Sequence, residues 1–142
     1  MGIRTARQED TQAIGALLAQ LEHPTAENLV AERLTQLIAH PDHALIVYEL
    51  NNEVVAFMSI HFLPQIAYPG DFAMVSYFAV DHNLRSRGLG KEMEEYCVLL
   101  AKARKCNRIE LHSSIRRTAA HRFYERQGYV EFPKYFSKLL ME

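Results

Sequence analysis

An apolar run too short for a helix, a glycine-bearing turn and an amphipathic helical pattern follow one another between Ala73 and Arg104. No other stretch constrains the chain as much. Ala73 to Val80 is rich in the residue types that suit a buried pleated surface. The polar turn Asp81-His82-Asn83-Leu84 comes next, followed by Arg85-Ser86-Arg87-Gly88-Leu89-Gly90. Leu89, Met93, Cys97, Leu100 and Ala103 then recur at three- and four-residue steps, with Lys91, Glu92, Glu94, Glu95 and Lys102 largely elsewhere around the wheel. A strand leading through a glycine loop into a helix suits a pyrophosphate, because the first helical N–H groups lack internal partners and the peptide dipoles favour an anion there. Gly88 and Gly90 keep Cβ atoms out of the way, and Arg85, Arg87 and Lys91 add positive charge. Taken alone, the same letters also fit an ordinary helix start. A Walker-type loop would need a Gly-Lys-Ser/Thr ending, and the dinucleotide fingerprint a third glycine; both are missing.

A length of 142 residues predicts one domain, residues 1–142, able to bury its own core. The 49% hydrophobic and 23% charged fractions suit a soluble globular protein. A net charge of −1 argues against a nucleic-acid partner held by a strongly basic surface, while leaving room for a local basic pocket. No apolar run approaches the roughly 18 residues of a membrane span, and Met1-Gly2-Ile3-Arg4 leads into polar sequence without a secretory pattern. Cys97 and Cys106 show no metal-ligand spacing, so the expectation is a cytoplasmic protein with both thiols reduced. Cys97 lies on the apolar stripe of its helix and reads as core.

Along the chain, Ile3 to Ala6 predicts a short strand, and Arg7-Gln8-Glu9-Asp10 opens a helix striped by Ile14, Leu17, Leu18 and Leu21. A second helix is expected over Glu27 to Ala39, with Val30, Leu34, Leu37 and Ile38 inward and Thr25 as N-cap. Ala44 to Leu50 and Glu53 to Phe62 form the clearest hairpin, joined by Asn51-Asn52, a residue type that tolerates positive φ. Val54 to Met58 is apolar on both faces, as in a mid-sheet strand. Leu63 to Asp71, with Pro64, Pro69 and Gly70, reads as a loop. After the central helix, Arg108 to Ser113 alternates like a strand. Thr118 to Arg126 reads as a helix with Ala119, Ala120, Phe123 and Tyr124 at core spacing and Gly128 as its stop. Tyr129 to Leu140, interrupted by Pro133, suggests two short antiparallel strands. The resulting order β-α-α-β-β-β-α-β-α-β-β predicts an α/β (mixed α+β) fold, a mixed sheet with helices on both faces.

Arg85-x-x-Gly88-x-Gly90 after a strand resembles the acetyl-CoA-binding signature of the Gcn5-related N-acetyltransferase (GNAT) family. A second match is Ala120 with Tyr124 four residues on, then Gly128 followed by the aromatic Tyr129. With Arg4-x-Ala6, Asp10 and the hairpin, the likeness spans most of the chain. It implies the acyl-CoA N-acyltransferase fold, a mostly antiparallel central sheet of about six or seven strands flanked by about four helices. Ile115 to Leu140, together with His61, is most similar to the aminoalkylphosphonate N-acetyltransferases, which implies a small amine substrate with an acidic tail. Basic residues at Arg116 and Arg117 agree with that tail. Two departures stand out. Many members carry a glutamate where this chain has Tyr77, and an asparagine where it has Arg117, although the phosphonate-type enzymes resemble this chain at the latter.

The reaction so implied is direct attack of an amine on the acetyl-CoA thioester, with a proton lost from the ammonium first. The resemblance assigns Phe78, Ala79 and Val80 to the pantetheine arm, with backbone groups pairing like an added strand. It assigns Arg85, Ser86, Arg87, Gly88, Leu89, Gly90 and Lys91 to the diphosphate, and Arg117, Ala120, Phe123 and Tyr124 to the rest of the cofactor site. Tyr124 is the implied acid for the departing thiolate, and the spacing alone equally suits a packed core tyrosine. The base is open among His61 and His112, expected on strands beside the central one, and Tyr77 or Asp71 acting through water. Convergence of His61, Asp71 and His112 on a metal has no support from spacing, and no metal is expected. The partners implied are acetyl-CoA and a small-molecule amine, with a homodimer as the family-level expectation and no nucleic acid or membrane. Acetylation of a protein or peptide amine, or a non-catalytic acyl-CoA-binding regulatory role, are the competing readings.

Overall fold

The computed structural model describes residues 2–114, 116–132 and 134–141. Contacts divide the chain into two compact units, Met1–Leu111 and His112–Glu142. The first holds a five-stranded sheet in the order β1 (Gly2–Thr5), β2 (His43–Leu50), β3 (Glu53–Leu63), β4 (Phe72–Val80), β5 (Arg108–Leu111). Neighbours are antiparallel from β1 to β4, and β5 runs parallel to β4. Of the four α-helices among the described residues, three belong here, α1 (Thr11–Gln20), α2 (Glu27–Ala39) and α3 (Leu89–Ala103).

The apolar alternation of the strands decides where the helices pack. On β3, Ala56, Met58, Ile60 and Phe62 face one way and join Ile46, Ala73, Val75 and the α3 residues Met93, Cys97 and Ala101. Phe57 faces the other way with Leu45, Val47 and Ala79, covered by Ile14 and Leu17 of α1 and Val30 and Leu34 of α2. The unit is thus a helix–sheet–helix sandwich with β3 at its centre, as the two-faced apolarity of Val54 to Met58 predicts. Full burial of a side chain such as Met58 or Ile60 is worth roughly 1.5–3 kcal/mol.

The hairpin forms as expected, with Asn51 and Asn52 at φ 52° and 64°. The bounds of α2 also match, but Ile38 is exposed rather than inward. Thr25 does not cap α2: its hydroxyl donates to the His23 carbonyl, and Ala26 holds the cap position. On α3 the buried face includes Ala101, and Ala103 is exposed, because the helix rolls to seat Met93 and Cys97 on the sheet.

The sheet has five strands among the described residues, not the expected six or seven. β5 stops at Leu111 instead of reaching Ser113. Residues 129–132 and 134–140 take no strand pairing, and Pro133 lies outside the described residues. An aromatic, β-prone composition supplies no hydrogen bonds of its own; a strand needs a neighbour in register, and this segment has none. The second unit instead centres on α4 (Thr118–Arg126). There Gln127, Gly128 and Tyr129 complete a Schellman stop, with Gly128 N–H donating to Glu125 and Tyr129 N–H to Tyr124, and Gly128 at φ 94°. Ala119 is exposed, while Ala120, Phe123 and Tyr124 are half-buried.

Candidate active site

Strand β4 carries the main irregularity of the sheet. Its pairing with β3 shifts between Ser59↔Tyr77 and Ile60↔Val75, leaving Ser76 as the extra residue of a bulge. The bulge reverses the strand's phase. Before it, Ala73 and Val75 face α3; after it, Phe78 and Val80 pack on the α3 side and Ala79 joins the α1/α2 side. Ser76 and Tyr77 are both exposed as a result. Pairing with β5 covers Phe72 to Val75 only, so residues 76–80 of β4 continue beyond the end of β5.

The far end of β4 leads to the glycine loop. Asp81 accepts a hydrogen bond from Asn83 N–H at 3.0 Å and turns the chain. Ser86 and Gly88 both adopt positive φ, 68° and 84°, and Gly88 stands at the N-cap of α3. Left-handed residues flanking a helix start point successive N–H groups into a common concavity, an anion-binding arrangement. Residues 85–88 are exposed, whereas Leu89 is buried and pins the helix to the sheet. A Cβ built at Gly88 would meet no atom within 4 Å, so the space before the loop is open. Arg85, Ser86, Arg87, Gly90 and Lys91 surround the same turn in sequence.

On the α1/α2 face, four polar side chains cross three strands. His43 Nε2 lies 2.7 Å from Ser59 Oγ, and His61 Nε2 lies 2.8 Å from Ser76 Oγ. The His43 and His61 rings meet edge-on at 4.6 Å. Ser76 Oγ also lies 3.4 Å from the Ser59 carbonyl. His43 and Ser59 are buried, His61 half-buried, Ser76 at the surface. Burial first, and then the charge of His61, lower the His43 imidazole to about 4. Burial, reinforced by His40, also holds His61 below its ordinary value. His23, in the α1–α2 connection, meets the Tyr77 ring edge-on at 5.7 Å. Sequence reasoning singled out His61 and Tyr77 but missed His43, Ser59, Ser76 and His23. Only a shared odd-numbered parity on β2 and β3 linked the two histidines in advance.

In the second unit, His112 is outside any strand and stacks on Tyr135 with ring centroids 4.3 Å apart. Arg117 precedes α4 at its N-cap. The Tyr124 ring contacts Phe123 at 5.3 Å and Tyr129 at 5.6 Å, and burial raises its phenol above the usual value, opposed by Arg117. Among the described residues, no group of three or more His, Cys, Asp or Glu side chains is placed to hold a metal ion. No described helix is long and apolar enough to cross a membrane.

Comparison with known proteins decides the lineage. The acetyltransferase (GNAT) family matches residues 7–129. The chain belongs to the GNAT acetyltransferase family. A curated relative, the aminoalkylphosphonate N-acetyltransferase of Salmonella typhimurium, is 27% identical over 143 residues, covering 97% of this chain and 90% of that one. Among solved structures, a transcriptional regulator from Bacillus halodurans C-125 superposes with a TM-score of 0.90 at 22% identity, covering 97% of this chain and 98% of that one. An aminoglycoside N-acetyltransferase in complex with CoA gives a TM-score of 0.86 at 12% identity, covering 98% and 94%. GNAT enzymes use acetyl-CoA as acetyl donor. The open loop at Gly88 and the part of β4 that outruns β5 are compatible with a cofactor of that shape and charge.

Proposed function

We propose that this GNAT enzyme transfers the acetyl group of acetyl-CoA directly to the primary amine of a small molecule, an aminoalkylphosphonate or an amino acid-like compound. The observation that carries the cofactor half is the extension of β4 past β5, beside a glycine loop with Gly88 at φ 84°. A pantetheine arm laid along Phe78, Ala79 and Val80 would bind as an added strand. Its diphosphate would lie on the amides of Arg87 to Lys91, helped by the charges of Arg85, Arg87 and Lys91. Arg117, Ala120 and Phe123 are assigned to the remainder of the cofactor. The family match crosses from residue 7 to residue 129, through both units, which supports a single N-acetyltransferase domain.

Acetyl-CoA supplies the activated acyl group, and the chain's residues manage two protons. Tyr124 is the donor to the thiolate; burial keeps its phenol protonated at neutral pH, ready to give that proton away. His61 is the favoured base, because it is half-buried, held neutral and sits beside the β4 bulge. His112 is less suited, its ring being occupied by Tyr135. Tyr77, exposed at the bulge and edged by His23, would line the acceptor side. The relative from Salmonella typhimurium, together with Arg116 and Arg117, supports an acidic tail on the amine.

CoA release measured against a panel of aminoalkylphosphonates, amino acids, polyamines and N-terminal peptides tests the reading. Turnover restricted to small acidic amines supports it. Preference for peptides would move the substrate to protein amines, and acetyl-CoA binding without turnover of any amine would make the chain a binding module.

A further inference from the structure

We propose that Ser76 and His61 act as a couple that takes the proton from the substrate ammonium, with Ser76 touching the amine and His61 receiving the proton. The inference rests on the acetyl-transfer reading above and names the group that stands in for the glutamate many relatives carry at the position of Tyr77.

Three observations support the couple. First, the bulge at Ser76 turns that hydroxyl outward beside Tyr77, at the point where β4 passes the end of β5. In a regular strand Ser76 and Tyr77 would face opposite sides of the sheet, and only one of them would reach an acceptor on the α1/α2 side. Second, Ser76 Oγ is 2.8 Å from His61 Nε2, a distance at which one shared proton is handed over without rearrangement. Third, His61 is backed by the buried His43 ring, itself tied to Ser59, which holds the imidazole plane in place. The groups bearing on His61 are His43 from β2, Ser76 from β4 and His40 before β2; no carboxylate is hydrogen-bonded to the ring among the described residues. An imidazole facing histidines and hydroxyls stays uncharged at neutral pH and is free to accept a proton, as its lowered proton affinity indicates.

The step balances. The ammonium passes one proton to Ser76 Oγ as the Ser76 hydroxyl proton moves to His61 Nε2, leaving the neutral amine, an intact serine and an imidazolium. The amine lone pair forms the C–N bond at the thioester carbonyl, and the C–S bond breaks with its electron pair on sulfur. The thiolate takes the proton that the reading above assigns to Tyr124, solvent reprotonates the phenolate, and the second amine proton leaves to solvent. His61 then releases its proton to solvent.

The test is the pH dependence of kcat/KM with the best small amine, in wild type, Ser76→Ala, Ser76→Thr and His61→Asn. In wild type, kcat/KM should rise through one limb below the usual imidazole value near 6.5 and level off by about pH 7.5. In His61→Asn the plateau should vanish, and the rate should keep rising toward the amine's own pKa, since only free amine can then react. Ser76→Ala should lower kcat at pH 7 by roughly 10²-fold with acetyl-CoA affinity unchanged, and Ser76→Thr should restore most of it. A wild-type profile that climbs to the amine's pKa without a plateau overturns the proposal, even if a variant fails to fold. Equal kcat in wild type and Ser76→Ala, with chemistry rate-limiting, also overturns it. If wild type releases no CoA with any amine, it is the acetyl-transfer reading that fails.

Discussion

His43 Nε2 lies 2.7 Å from Ser59 Oγ, with His43 only 9% exposed between β2 and β3. Burial lowers this imidazole to about 4, against 6.5 when exposed. Below pH 6.5 the unfolded chain therefore binds a proton that the folded chain refuses. Stability from this site is complete above pH 6.5 and is lost as pH falls toward 4, after which both states are protonated. The loss amounts to roughly 3 kcal/mol, since each tenfold difference in proton affinity is worth about 1.4 kcal/mol. Urea unfolding between pH 7.5 and 4 should show wild type losing more stability than His43→Gln. Parallel curves would mean that His43 does not carry the effect.

Gly70 closes the loop before β4 under a tight constraint. A Cβ there would lie 2.3 Å from the Lys105 carbonyl oxygen, and φ is +83°. Asn107 N–H donates to Asp71 O next to it, so the backbone has no room to yield. Gly70→Ala should cost about 2–4 kcal/mol from left-handed strain and overlap. A melting temperature unchanged from wild type would contradict this contact.

Gly88 poses the opposite case, because its left-handed φ is demanding but its surroundings are empty. Gly88→Val should cost roughly 1–2 kcal/mol of stability. Acetyl-CoA affinity should fall by about tenfold or more, as the side chain enters the space assigned to the diphosphate. Calorimetry showing normal affinity would move the phosphates elsewhere.

Tyr124→Phe removes a hydroxyl and keeps the ring that packs against Phe123 and Tyr129. If the phenol protonates the thiolate, kcat should fall by roughly 10²–10⁴-fold while acetyl-CoA affinity and melting temperature barely change. Near-wild-type kcat, with chemistry shown to be rate-limiting, would make the tyrosine structural.

The sequence by itself determined whatever depends on a few adjacent residues. Asn51-Asn52 specified the hairpin turn through tolerated φ, the spacing of Val30 and Leu34 specified α2, and Gly128 specified the stop of α4. The glycine loop was legible for the same reason, and so was the family. Tertiary structure decided what depends on summed pairings between distant segments. It set how far β5 accompanies β4, which face Ile38, Ala103 and Ala119 show, and why residues 129–132 and 134–140 find no strand partner. Above all it set the bulge at Ser76. One unpaired residue inverts the facing of everything after it on β4, and no local propensity at Ser76-Tyr77 announces it. His43, Ser59, His61 and Ser76 come together only once the registers of three strands and that inversion are in place.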